Sequence, residues 1–232
     1  MERLAQIVSE AREYFERKNQ VRERALTLSR ELTHHCALTI RAVHRREVDQ
    51  ARQLLGLASQ EAQQLGRDML DHADLFYSGY TQDALKEWAE ASITFALING
   101  EQLPTPEELA VIPSTYLRGL GEAVGELRRY ILDTLRRGEV GRCEELLTMM
   151  DDVYSVLVTI DYPDALTGGL RRTTDMVRGV LERTRGDLTV AARQDAMQRS
   201  LRTFAERIGA APDSVVGLDL PEAGSETSDE EL

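Results

Sequence analysis

The N-terminal part of the chain carries an apolar repeat that few folds can accommodate. Steps of three and four residues lead from Leu4 to position 39, and most of the positions that they reach are apolar. This is the spacing of a heptad seam, interrupted at Lys18 and His35, and it predicts one helix from residue 2 to about residue 46. Such a helix spans about 65 Å, which is too long to be covered within one small globule. The seam therefore favours a bundle whose first helix also packs against other subunits.

The rest of the chain alternates helical patterns with short breaks that contain Gly, Pro and Asp. Periodicity, N-cap residues and breaks predict further helices over 47–73, from an N-cap at Thr81 to about 99, and over 113–137, 140–159, 164–185 and 188–208. The segment TPEEL at 105–109 has the signals of a short helix start. The sequence therefore predicts an all-α fold, a seven-helix bundle with a very long N-terminal helix.

Negative charge is concentrated at the C-terminal end. The formal net charge of −12 becomes −5 when the last 22 residues, with seven acidic residues and no Lys or Arg, are set aside. We expect a helical domain over residues 1–208 and an acidic, disordered tail over residues 209–232. Local basic groups at 41–47, 126–130 and 170–174 mean that net charge does not exclude an anionic partner.

The two cysteines and the lack of an apolar leader indicate a cytoplasmic protein. Cys36 and Cys143 form neither a disulfide framework nor a CxxC metal motif, so we expect buried thiols in a reducing compartment. No N-terminal segment resembles a signal peptide, and no window reaches the roughly 18 apolar residues of a membrane span. We therefore expect no membrane partner.

Two pairs of glutamates stand among small or apolar neighbours. Glu87 and Glu90 are three residues apart in DALKEWAEA, and Glu122 and Glu126 are four apart in GEAVGEL, so each pair shares one face of its helix. If the two helices face each other, the repulsion between four carboxylates must be relieved by protonation, a basic partner or a divalent cation. Oxygen ligands favour Mg²⁺ or Mn²⁺, which assist phosphodiester cleavage. By spacing alone, a solvated helix face is the simpler interpretation.

The basic group IRAVHRRE, which contains Arg41, His44 and Arg45, ends the long helix. Cations at this position complement the helix dipole, and they are equally suited to contact phosphate. His34 and His35 are adjacent on the same helix and point in different directions, so we expect core or subunit contacts from them rather than a shared metal.

Taken together, these motifs resemble the translin superfamily. The long helix with IRAVHR near its end, DALKEWAEASITFALI, YLRGLGEAVGELRRY and LRRTTDMVRGVLER follow the family's order over residues 1–208. The chain is similar to the archaeal branch, which is related to translin-associated factor X (Trax). The resemblance implies a translin-like helical fold, hollow homo-oligomers that are typically octamers, and binding of single-stranded RNA or DNA.

The resemblance also implies a metal site. Trax-like members are Mg²⁺-dependent endoribonucleases, and Glu87, Glu90 and Glu122 match the positions that would hold the metal. Glu126 would complete the shell or position the attacking water. Glu122 stands where the eukaryotic Trax motif has an aspartate, and its extra methylene shifts the carboxylate by about an ångström.

Nucleic-acid contacts follow from the same comparison. Arg129 matches a basic residue of both branches and is expected to bind phosphate as a bidentate donor. Arg41, His44 and Arg45 match a pattern that serves nucleic acid or subunit packing. Two alternatives to the endoribonuclease stay open: a translin-like protein that binds single strands without cutting them, and a helical assembly scaffold.

Overall fold

The computed structural model describes residues 1–208, which form eight helices and no strand. The prediction of an all-α fold with a very long N-terminal helix is confirmed, and the predicted acidic tail lies outside the described residues. The helices are α1 (Glu2–His44), α2 (Val48–Asp68), α3 (Ala73–Phe76), α4 (Gly79–Asn99), α5 (Pro113–Leu135), α6 (Val140–Leu157), α7 (Asp164–Thr167) and α8 (Leu170–Ile208).

The chain divides into two compact units. The first spans Met1–Leu188 and contains the core described below; the second begins at Thr189, and its described residues, 189–208, are helical. In the part of the chain that the structure describes, no helix is both long and apolar enough to cross a lipid bilayer.

The helix count differs from the predicted seven because breaks fall at other positions. Gly186 does not interrupt α8, since a single glycine costs a helix only about 1 kcal/mol. The break lies instead at Gly168 and Gly169. Their φ angles of +62° and +87° lie outside the range of a right-handed α-helix. The predicted N-cap at Thr81 is also wrong: α4 begins at Gly79 after Ser78, and the Thr81 hydroxyl donates to the carbonyl of Leu75 at 2.9 Å.

The TPEEL segment forms a hydrogen-bonded turn and no helix. The backbone N–H of Thr105 donates to Glu108 Oε2 at 2.8 Å, and the N–H of Glu108 donates back to Thr105 Oγ1 at 3.2 Å. These are the reciprocal bonds of a capping box. No helix follows because Ala110 adopts φ +54° and the chain reaches Pro113, where α5 begins.

Within the part of the chain that the structure describes, only the second half of α1 has a buried face. Its buried face begins at Ala25 and reaches His44, whereas Leu4, Ile7 and Tyr14 on the predicted seam are exposed. The two interruptions of the seam have partners in other helices. Lys18 Nζ lies 2.6 Å from an Asp74 oxygen, and His35 Nδ1 lies 2.8 Å from Glu61 Oε1.

Both cysteines are buried free thiols, as predicted from their spacing. Burial raises the pKa of Cys36, and the nearby carboxylates Glu87, Glu61 and Glu90 raise it further. Burial also raises the pKa of Cys143. Because the thiolate is the reactive form, neither cysteine is suited to nucleophilic chemistry.

The helix α4 lies at the centre of the core, and nearly every residue from Trp88 to Ile98 is buried. The Trp88 indole N–H donates to the carbonyl of Leu109 at 3.2 Å, which ties α4 to the loop before α5. The closest approach of α5 is at Gly119, where a Cβ atom would meet the Ala89 Cβ at 2.9 Å. It would also meet the carbonyl oxygen of Lys86 at 2.9 Å. The absent side chain therefore sets the spacing of the two helices.

Replacing Gly119 with alanine should lower the free energy of unfolding by about 1–3 kcal/mol, because the helix backbones must separate. Gly125→Ala is the matched control, since Gly125 lies in the same helix with nothing within 4 Å of the added atom. That variant should gain about 0.5–1 kcal/mol from helix propensity. Urea denaturation measures both changes. Equal stability of the two variants would contradict the close approach of α4 and α5.

Candidate metal centre

The close contact between α4 and α5 brings carboxylates from both helices together. Glu87 and Glu90 lie on the stretch of α4 that contacts Gly119, and Glu122 follows Gly119 on α5 by three residues. One oxygen from each of the three carboxylates lies within 4.8 Å of the others. Their spacing alone favours a solvated face for these residues, but Glu90 is only 8% exposed. Glu87 and Glu122 are half-buried.

Burial strongly affects the protonation of Glu90. Removal from water raises the pKa of Glu90 to about 8, and the charges of Glu87, Glu122 and Glu126 add to the rise, while Lys86 opposes it. The carboxyl of Glu90 is therefore protonated at neutral pH when no cation is bound. A divalent cation next to the three groups would reverse this effect, because a positive charge favours the ionised carboxylate.

Lys86 is also part of the cluster, although no motif of the sequence marks it as a site residue. Its ammonium lies 3.0 Å from Glu87 Oε1 and hydrogen-bonds to Glu122 Oε2. Burial acts to lower the pKa of Lys86, but the hydrogen bonds to Glu122 and Glu87 outweigh that effect and raise it. The ammonium therefore stays charged. Facing carboxylates need a basic partner or a cation, and Lys86, next to Glu87 in the sequence, is such a basic partner.

Glu126 has a different partner from the other three carboxylates. One turn further along α5, its Oε2 lies 2.5 Å from Nε2 of His44, at the buried end of α1. Arg129 approaches the same oxygen at 3.8 Å, and the ring of Tyr130 lies 6.3 Å from the ring of His44. The second ring nitrogen of His44, Nδ1, is buried and has no hydrogen-bond partner among residues 1–208. The structure thus places Glu126 beside the three-carboxylate cluster in a pair with His44.

The basic residues singled out in the sequence are not all in one place. His44 is buried against Glu126, whereas Arg129 is largely exposed. Arg41 and Arg45 are exposed residues at the end of α1. His34 is exposed as well, and it lines a groove of about 540 Å³ between α1 and α4 that has Glu87 in its wall.

The chemistry of the cluster suits a hard divalent cation. Glu87, Glu90 and Glu122 offer oxygen ligands only, and no histidine or cysteine among the described residues joins them to make a site for a softer metal. Mg²⁺ and Mn²⁺ commonly bind through a few carboxylates and keep waters for the remaining positions. The three glutamates therefore fit such an ion.

The chain is similar to a protein of known sequence and to several solved structures. No protein-family model matches the chain. Over 177 residues, 75% of this chain and 78% of the relative, it is 32% identical to an uncharacterized protein of Methanocaldococcus jannaschii. It is similar to the crystal structure of AfC3PO, with a TM-score of 0.75 and 33% identity, covering 81% of this chain and 97% of that one.

Two further structures extend the comparison. The complex of AfC3PO with duplex RNA matches with a TM-score of 0.71 and 32% identity over the same shares of the two chains. The crystal structure of apo-NeC3PO has a TM-score of 0.73 and covers 79% of this chain and 96% of that one. At 18% identity, this last match is one of fold alone.

Proposed function

Because the chain belongs to the translin superfamily, which includes the C3PO proteins, we propose that it is a metal-dependent endoribonuclease that works as a homo-oligomer. The observation that carries the proposal is the cluster of Glu87, Glu90 and Glu122 within 4.8 Å on two closely packed helices. A protein that only bound RNA would have no use for three converging carboxylates, because negative charge repels phosphate.

The three glutamates would hold Mg²⁺ or Mn²⁺. When bound, such an ion screens the charge of the scissile phosphate and makes a coordinated water more acidic. The protein keeps the ligands in place through the rigid contact at Gly119, so no loop has to close to assemble them. Glu122 bridges the helices, since it extends from α5 toward Glu87 and Lys86 of α4.

Glu126 would orient the attacking water and accept its proton. A general base must be held within reach of the proton that it takes. Here the bond to His44 Nε2 fixes the Glu126 carboxylate beside the cluster. Arg129, exposed one turn further along α5, would bind a phosphate oxygen of the RNA, since its guanidinium is only 3.8 Å from Glu126.

The substrate we propose is single-stranded or structured RNA. AfC3PO has been crystallised with duplex RNA, and the groove beside Glu87 offers a path to the carboxylates. Arg30 and His34, one helical turn apart, line its α1 side. Both are exposed, and basic side chains in this position would attract the phosphate backbone. Single-stranded DNA would bind in the same way.

Assembly would cover the N-terminal half of α1. Leu4, Ile7, Tyr14 and Phe15 are all more than half exposed, and burying apolar side chains against a second copy is favourable. We propose a hollow homo-oligomer, with an octamer as the expected size. A matched copy of the same helix is the simplest partner for a heptad seam.

The alternative is a translin-like protein that binds RNA without cutting it. The observation in its favour is that the ammonium of Lys86 already pairs with both Glu87 and Glu122, so the folded chain has a cation there without a metal. Under this alternative the glutamates would be structural, and RNA would bind through the arginines alone.

A cleavage assay separates the two functions. With 5′-labelled RNA, the protein should cut in the presence of Mg²⁺ and stop when EDTA is added. Glu87→Ala and Glu90→Ala should each abolish the Mg²⁺-stimulated cleavage and still retain RNA in a gel shift, because the phosphate contacts lie on other residues. Asp133→Asn is the matched control, a half-buried carboxylate on α5 that pairs with Arg136 outside the cluster.

The contrary result is equally clear. If both alanine variants cut RNA as fast as the parent protein, the metal centre is assigned to the wrong residues. If the parent binds RNA with a salt-dependent affinity but never cuts it, the binding function is correct. A scaffold without either activity would show no salt-dependent retention of RNA at all.

A further inference from the structure

Lys86 is one of only two lysines among the 28 basic residues of the chain. The other, Lys18, lies on α1 and pairs with Asp74. Everywhere else the sequence uses arginine. Arginine forms rigid, bidentate pairs with carboxylates, whereas lysine is a compact charge on a flexible stem. The basic residue in the carboxylate cluster is thus a lysine, whose charge moves more easily than that of an arginine.

The ammonium of Lys86 contacts the same carboxylates that would bind a metal. It lies 3.0 Å from Glu87 and hydrogen-bonds to Glu122, and its side chain is only 12% exposed. Two cations that share these oxygens would repel each other strongly in a partly buried site. A divalent ion can therefore occupy the cluster fully only after the ammonium has moved away from it.

The displaced ammonium would not have far to go. Four methylene groups separate it from the α4 backbone, so it can swing toward solvent without any change in the helix. An RNA phosphate held next to Glu87 and Glu122 would then be the nearest strong negative charge.

From these contacts we propose that Lys86 is a built-in counter-ion that competes with the metal and, once displaced, binds the scissile phosphate. The proposal rests on the nuclease function proposed above. It gives one side chain two successive partners: the carboxylates before the metal enters, and the phosphate of the substrate afterwards. Lys86 would then be a catalytic residue of the reaction.

Two substitutions test the competition in the absence of RNA. Lys86→Met keeps the length of the side chain and removes its charge, so Mn²⁺ should bind at least about 10-fold more tightly. Lys86→Arg keeps the charge and adds a second hydrogen bond to the carboxylates, so Mn²⁺ should bind more weakly than to the parent. Electron paramagnetic resonance of free Mn²⁺ measures the dissociation constant for each full-length protein. Lys18→Met should bind Mn²⁺ like the parent.

The second half of the proposal predicts a change of opposite sign. At saturating Mn²⁺, the single-turnover cleavage rate of Lys86→Met should fall by about 10-fold or more, because the phosphate has lost its cation. Tighter metal binding together with slower cleavage is a combination that a merely structural lysine does not produce. A structural lysine would weaken both, and that result overturns the proposal.

The two proposals fail in different ways. If the parent protein binds no Mn²⁺, the metal centre itself is wrong. If the parent binds Mn²⁺ and the methionine and arginine variants bind it with equal affinity, the metal centre stands and the role of Lys86 is refuted. Should Lys86→Met fail to fold without metal, Lys86→Arg alone decides the question through its weaker Mn²⁺ binding.

Discussion

Replacing Glu90 with glutamine should raise the melting temperature of the metal-free protein at pH 8.5 by roughly 10 to 20 °C, with little effect at pH 5. The reason is the burial of Glu90 beside Glu87 and Glu122, which raises its pKa to about 8 from an ordinary value of 4.5. Glutamine resembles the protonated carboxyl in shape and has no charge to lose water. The variant is therefore spared the cost of ionising a buried group.

The sign of the effect follows from proton binding. Between pH 4.5 and about 8 the folded protein holds a proton on Glu90 that the unfolded chain has released. The stability contributed by protonated Glu90 is thus fully present below pH 4.5. It is lost as the pH rises through about 8, the pKa of Glu90 in the folded protein. Each unit of difference in pKa corresponds to about 1.4 kcal/mol, and melting temperature changes by about 2–4 °C per kcal/mol in a chain of this size.

Thermal melts in EDTA at the two pH values measure the effect, with Asp133→Asn as the control that should follow the parent at both. Mg²⁺ should then stabilise the parent more at pH 8.5 than it stabilises Glu90→Gln, because an ionised Glu90 is the better ligand. An equal gain from the glutamine at pH 5 and pH 8.5 would show that Glu90 does not hold its proton through this range.

A large loss of activity is also expected at Glu122. Glu122→Gln should slow Mg²⁺-stimulated cleavage by about 100-fold or more, since it removes the only carboxylate that α5 contributes to the three-glutamate cluster. Glutamine has nearly the same shape, so the contact between α4 and α5 is preserved. Single-turnover cleavage of labelled RNA measures the rate, and a gel shift verifies that RNA still binds.

Glu122→Asp separates the charge of this residue from its reach. The aspartate keeps the charge but withdraws the carboxylate from Lys86 and Glu87, so we expect a rate between those of the parent and of Glu122→Gln. Mg²⁺ prefers near-ideal octahedral geometry. The displaced carboxylate of the aspartate variant should therefore bind Mg²⁺ more weakly, so this variant should need a higher Mg²⁺ concentration for cleavage. Cleavage by Glu122→Gln within a factor of about three of the parent would remove Glu122 from the site.

The fold was largely predictable because helical sequences carry their own periodicity. The seam of α1 gave its length to within two residues of its end at His44. The positions at which one helix ends and the next begins were harder to predict from the sequence. A helix continues through Gly186 when its neighbours favour helix, whereas Gly168 and Gly169 turn the chain because both adopt positive φ. The signals of a helix start at Thr105 form their hydrogen bonds in an isolated turn.

The candidate site was predictable in its carboxylates and not in their partners. Spacing along α4 and α5 places each glutamate on a face, but it does not say which of two neighbouring helices that face meets. Glu126 lies near the end of α1 and therefore pairs with His44, while Glu122 lies one turn earlier and meets Lys86. The contacts of Lys86 could not be predicted from the sequence, because a lysine next to a glutamate is common on exposed helix surfaces.

The unfavourable burial of Glu90 also bears on how a protein of this fold could change its function. A carboxyl group with so raised a pKa makes the folded state less stable at neutral and alkaline pH than a neutral residue would. A descendant that no longer used the proposed metal site would gain stability from nearly any uncharged replacement there. Loss of the proposed cleavage activity would thus be an easy evolutionary step, and its recovery would require a mutation that first weakens the fold.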